Sequence, residues 1–94
     1  MIVTIRHKGL DAYYRTGETK GLPQKLVKRL AVMLSVLDVM QGPEDLTPTL
    51  PGLRLHPLKG DLKGFWSATV SGNWRLVFRF EHQQVTDLEL LDYH

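Results

Sequence analysis

The stretch from Phe65 to Phe80 constrains this chain more than any other feature. Two runs rich in aromatic and β-branched residues, Phe65–Val70 and Trp74–Phe80, flank Ser71-Gly72-Asn73, the pattern of a β-hairpin. Its register can be decided on paper. A three-residue loop sets Val70 opposite Trp74, Ala68 opposite Leu76 and Trp66 opposite Phe78, so every large apolar side chain shares one face. A two-residue loop would slip the pairing by one and put Trp66 and Val70 on the face opposite Trp74 and Phe78. We therefore expect the three-residue loop, with Ser67, Thr69, Arg75, Val77 and Arg79 on the other face. A face with two arginines and two hydroxyls has the character of a ligand surface, although the solvated outer face of an antiparallel sheet looks similar. Trp66 and Trp74 are then core residues rather than base-stacking ones.

The rest of the chain supplies elements to cover this hairpin. Ile2–Arg6 reads as a short strand. His7–Arg15 reads as a short helix stopped by Gly17. Pro23 opens a longer helix, at a position where its missing N–H costs nothing. Leu26, Leu30, Met33, Leu34 and Leu37 form a single apolar stripe at helical spacing. Gly42-Pro43 ends it, and the proline-rich segment 43–52 is an irregular loop. Leu53–Leu58 alternates, with Leu53 and Leu55 on one side and Arg54 and His56 on the other. Val85–Leu91 is the last strand. The order β-α-α-β-β-β-β describes one α+β domain over residues 1–94, with a mostly antiparallel sheet and two N-terminal helices. There is room for one domain in 94 residues.

Composition narrows the setting. Without cysteine, disulfide staples and cysteine-based zinc sites are excluded. No secretory signal pattern or membrane-length apolar run is present, so we expect a cytoplasmic protein with no membrane association. The net charge of +2 is too mild to imply nucleic acid. Its distribution says more: Arg54, Lys59, Lys63, Arg75 and Arg79 face a single acid, Asp61, between residues 54 and 79. That stretch suits a phosphate-binding surface or an ordinary solvated face.

The four histidines, His7, His56, His82 and His94, make no metal-binding spacing with one another or with a carboxylate, and we expect neither a metal nor a cofactor. No glycine-rich phosphate loop or serine elbow is present. What remains is a scatter of acid–base and cationic groups. His56 stands at a strand end before Pro57, which biases it towards extended backbone. Lys59 follows in a turn, Arg75 projects from the polar face, and Asp92-Tyr93-His94 follow a strand directly. Metal-free RNA cleavage needs a base for the 2′-OH, cations for the charged transition state and an acid for the leaving 5′-oxygen. His56, Lys59, Arg75 and His94 have the right chemistry, with Tyr93 and Asp92 as helpers. Each also has an ordinary role: a surface histidine, solvated lysines, a cross-strand arginine, frayed terminal residues. Lys25, Lys28 and Arg29 in the first turn of the long helix oppose its dipole, a pattern of an RNA or partner contact or of tolerated surface charge.

Residues 54–67, with the run His56-Pro57-Leu58-Lys59-Gly60-Asp61-Leu62-Lys63-Gly64, and then Val70-Ser71-Gly72-Asn73-Trp74-Arg75 closely resemble the HigB branch of the RelE/ParE toxin superfamily. So do Asp92-Tyr93-His94, His7-Lys8-Gly9-Leu10 and Lys28-Arg29-Leu30, so the resemblance covers nearly the whole chain. It implies the RelE-like microbial ribonuclease fold and ribosome-dependent, metal-independent cleavage of mRNA in the A site of the 70S ribosome. It implies a cognate helix-turn-helix, HigA-like antitoxin, with operator DNA bound only through the toxin–antitoxin complex. Carried onto this chain, the functional positions match His56, Lys59, Arg75, Asp92, Tyr93 and His94. Of these, His56 and His94 transfer protons in an undecided direction, Arg75 and Lys59 clamp the scissile phosphate, Tyr93 orients or stacks on the substrate, and Asp92 positions its neighbours. Arg54, Lys63 and Arg79 are weaker candidates for binding RNA backbone. The chain departs from that pattern in a longer segment 46–51 and in Leu53, where a tryptophan is common. The same fold also serves ParE-like inhibitors of DNA gyrase, and a non-catalytic co-repressor acting with its antitoxin is the other alternative.

Overall fold

The computed structural model describes residues 1–46 and 53–93. Two helices, α1 (Lys8–Thr16) and α2 (Val27–Val39), precede four strands, β1 (His56–Pro57), β2 (Phe65–Ser71), β3 (Trp74–Glu81) and β4 (Gln84–Asp92), all antiparallel to their neighbours in the order β1-β2-β3-β4. The expected first strand is present only as a thin ribbon. It runs parallel to β4 through the bridges Ile2–Val85 and Ile5–Leu88, closed by Val3 N–H to Val85 O at 2.8 Å and Arg6 N–H to Leu88 O at 2.7 Å. The whole is the α+β architecture expected.

Local chemistry explains where the elements begin and end. His7 is the N-cap of α1, its Nδ1 accepting the Leu10 N–H at 3.1 Å, which satisfies one of the helix's orphan donors. Gly17 ends the helix at φ +82, where a side chain would be disfavoured. Pro23 does precede the second helix, but its first turn, Gln24–Leu26, is a tighter 3-10 turn that runs into α2. The helix stops at Val39, earlier than Gly42-Pro43, because Met40 turns extended and buries itself in the core. The loop expected over 43–52 opens as a 3-10 turn, Pro43–Leu46; residues 47–52 lie outside the described residues.

Leu10, Leu26, Leu30, Met33, Leu34 and Leu37 from the helical layer and Ala68, Val70, Leu76, Phe78, Val85, Leu88 and Leu90 from the sheet form one core, with Trp66 and Trp74 packed against it. The apolar stripe and the apolar hairpin face are thus two halves of one interior. The close approach that brings α1 in is made by two glycines. A Cβ on Gly9 would stand 2.1 Å from the carbonyl oxygen of Gly21.

The hairpin register holds along its body, with Trp66 opposite Phe78 and Ala68 opposite Leu76. Its tip is a correction. The turn has two residues, Gly72-Asn73, with Ser71 opposite Trp74, and Val70 is an extra residue in β2. This bulge takes up the slip, so a tight turn and an uninterrupted apolar face coexist. β4 carries a second bulge at Asp87 (φ +54), where Val77 pairs with Glu89 but Arg79 with Thr86. The Thr4 hydroxyl accepts the displaced Asp87 N–H at 2.8 Å, and Arg6 lies 3.5 Å from its carboxylate.

Candidate active site

The face of the sheet away from the helices carries the polar side chains. Because paired residues in an antiparallel sheet point the same way, the register defines a central row, His56–Ser67–Val77–Glu89. A row of Thr69, Arg75 and Leu91 lies on one side of it, and Phe65 with Arg79 on the other. His56 is the edge residue of the row. From it, Arg75 and Arg79 are each two residues along and two strands across, roughly 7 Å and roughly 10 Å respectively.

β1 is shorter than the expected Leu53–Leu58 because Arg54 adopts φ +51 and leaves the extended region. The ladder resumes on each side, with Thr69 N–H to Leu53 O at 2.6 Å and Leu58 N–H to Phe65 O at 2.9 Å. Pro57, which has no N–H, sits safely on this edge strand. His56 is exposed, and its Nδ1 lies 2.7 Å from the carbonyl oxygen of Arg54. A carbonyl can only accept, so Nδ1 carries the proton and the neutral ring presents its lone pair at Nε2.

Arg75 is held by the hairpin tip. Its Nη1 donates to Gly72 O at 2.6 Å and to Trp74 O at 3.1 Å, and its guanidinium stands 5.8 Å from the centre of the Tyr93 ring. Two carbonyls and a ring face fix its direction while Nε and Nη2 remain available. Tyr93 is placed by the sheet itself, its N–H donating to Asn73 O at 2.8 Å. Arg79 stacks on Phe65 at 5.5 Å and meets the Glu81 carboxylate at 3.2 Å. Lys59 and Lys63 flank the 3-10 turn Gly60–Leu62 and are exposed, at the Phe65–Arg79 end of the sheet.

Of the sequence candidates, the fold gathers Arg75 with Tyr93, sets His56 on the same face between the two arginines, and places Lys59, Lys63 and Arg79 at its far end. It separates Asp92, which pairs with Trp74 and follows the parity of buried Leu90 towards the helical side. There it lines a cleft with Lys25, Ser71, Asn73 and Trp74. Asp92 therefore stands behind the hairpin tip rather than on the open face. Arg54 reaches His56 through its backbone. His94 lies outside the described residues. Ser67 was grouped with the polar face but not singled out. Its hydroxyl is buried without a hydrogen-bond partner, directly across from His56, a fact that only the packing reveals. Among the described residues no cluster of three or more His, Asp or Glu forms, and no helix is long and apolar enough to cross a membrane.

The fold is that of RelE-like toxins. The toxin–antitoxin complex of YoeB and YefM from Staphylococcus aureus includes a chain matching all of this one and 95% of its own length, with a TM-score of 0.60 at 21% identity. The chain belongs to the HigB family of RelE-like toxins of type II toxin–antitoxin systems, whose model matches residues 3–94. It is 38% identical to the endoribonuclease HigB of Proteus vulgaris over 94 residues, the full length of both. It is 32% identical to toxin HigB-1 of Vibrio cholerae over 81 residues, 85% of this chain and 84% of that one.

Proposed function

We propose that the protein is an endoribonuclease that cuts messenger RNA in the ribosomal A site without a metal. The observation that carries this reading is the His56 ring, whose proton is committed at Nδ1 and whose Nε2 stands free on a face bearing Arg75 and Arg79. Full-length similarity to a named endoribonuclease supports it.

In this reading His56 Nε2 takes the proton from the ribose 2′-OH as the 2′-oxygen attacks the adjacent phosphorus. Negative charge builds on the phosphoryl oxygens, where Arg75, already oriented by Gly72 and Trp74, offers its remaining donors. Lys59 adds a second cation. The bond from phosphorus to the 5′-oxygen breaks, and His94 protonates that oxygen, leaving a 2′,3′-cyclic phosphate and a 5′-hydroxyl. Tyr93 orients Arg75 and stacks on the substrate. A cognate helix-turn-helix antitoxin would hold the toxin inactive, the pair binding operator DNA in the cytoplasm.

The test is cleavage of a defined mRNA by the purified protein, with and without programmed 70S ribosomes, in excess chelator. Cuts at A-site codons only when ribosomes are present establish the reading. No cleavage by folded protein overturns it, in favour of a gyrase inhibitor or a co-repressor.

A further inference from the structure

Among the described residues, four other than glycine have positive φ: Arg54, His82, Gln83 and Asp87. Three lie in the β3–β4 hairpin. His82 and Gln83 are the two central residues of the β3–β4 turn, between paired Glu81 and Gln84. Asp87 is the β4 bulge. Arg54 makes a bulge of the same kind in β1: the Leu53 carbonyl meets Thr69 while His56 pairs with Ser67, three residues against two. It interrupts β1 between Leu53, whose carbonyl stays in the ladder, and His56.

We infer that Arg54 is a positioning residue acting through its main chain: its left-handed backbone sets the tautomer and direction of the His56 ring. In a continuous strand the carbonyl of residue 54 would lie in the plane of the sheet while the ring of residue 56 stood perpendicular to it. The turn at Arg54 brings the two to 2.7 Å. The bond holds in both protonation states, because Nδ1 keeps its hydrogen when Nε2 gains one. The carbonyl dipole also stabilises the imidazolium formed as the 2′-OH is deprotonated, the service a carboxylate gives histidine in hydrolytic triads. A backbone carbonyl performs it without adding negative charge to a surface that must receive phosphate. This role of Arg54 rests on His56 being the base in the reading above.

The test is a substitution series at position 54 that removes the guanidinium every time but varies the tolerance for positive φ: R54G, R54N, R54A and R54V. Imidazole 15N spectra of the folded proteins report the His56 tautomer, and ribosome-dependent cleavage reports its use. R54G is the reference for loss of the charge. We expect R54G and R54N to keep the Nδ1–H form. R54V should lose it and cleave about tenfold more slowly than R54G, the size of a left-handed penalty for a side chain. If R54V does not fold, the same ordering is read between R54N and R54A. One tautomer throughout the series, or R54V as fast as R54G, overturns the inference. An inactive wild type with the tautomer ordering intact overturns the nuclease reading instead.

Discussion

Asp38 shows how much one side chain can hold together here. From α2 it accepts the Ile2 N–H at 3.0 Å and the Tyr14 hydroxyl at 2.7 Å, tying the first ribbon and α1 to the second helix. The Ile2 N–H, then the Tyr14 hydroxyl, hold its carboxyl below the usual carboxylate range, against the opposing effect of burial. The same bond, with burial, raises the Tyr14 phenol. The signs follow. The Asp38 contribution to stability is complete above the ordinary carboxylate pKa of 3.8 and is lost as pH falls through the lower folded value. The Tyr14 contribution is complete below 10.0 and is lost as pH rises through its higher folded value. Urea unfolding of D38N should therefore show a shallower loss of stability than the parent as pH falls below 3.8. Ser67 gives a second prediction. Its orphaned hydroxyl should cost stability, so S67A should unfold at higher urea by about 1 kcal/mol, and unchanged or lower stability would mean that the hydroxyl has a partner. At the same scale, R75A should abolish cleavage and growth inhibition while leaving the circular dichroism spectrum unchanged, because the guanidinium meets the Gly72 and Trp74 carbonyls at the hairpin tip and the Tyr93 ring rather than the core. Arg75 was legible from strand alternation. Asp38 was not, since neither of its partners is near it in the chain.

Among the elements, the hairpins and the helix packing carry different liabilities. The β3–β4 turn needs positive φ at both His82 and Gln83, a conformation that asparagine and glycine reach more easily. Replacing the pair by Asn-Gly should stabilise the protein by about 1 kcal/mol with cleavage unchanged, read by denaturant titration. The approach of α1 to the segment before α2 has no such slack. G9A drives a methyl into the Gly21 backbone and should lower the melting temperature, whereas alanine at exposed Gly17 costs only its backbone preference. Alternating apolar residues were enough to pair Trp66 with Phe78 and to turn both tryptophans inward. They could not reveal that Val70 is a bulge, because a three-residue loop and a bulged two-residue loop present the same faces. The first strand was found but its partner was not: parallel pairing with β4 leaves no local mark in Ile2–Arg6. Nor did any residue type announce the left-handed turn at Arg54.

For the whole molecule, the sheet divides two jobs. One face is given to the core and the other to cations, with Arg75 and Arg79 on the open face and Lys59 and Lys63 beside it. Contacts of this kind to a phosphate backbone are paid for in released counterions. Replacing Lys59 and Lys63 by glutamate should weaken ribosome binding most at low salt and reduce the slope of log affinity against log salt by about one per lysine. A slope equal to that of the parent would remove both from the RNA interface. The parallel bridges from Ile2 to Val85 and from Ile5 to Leu88 act at this scale too. Ile2 and Ile5 can find their place only beside Val85 and Leu88, far along the chain. Such a long-range pairing forms late, and the core closes over these residues only once β4 has been made. On the reading proposed above, a nascent chain has no finished sheet to turn against the translation machinery until β4 has emerged.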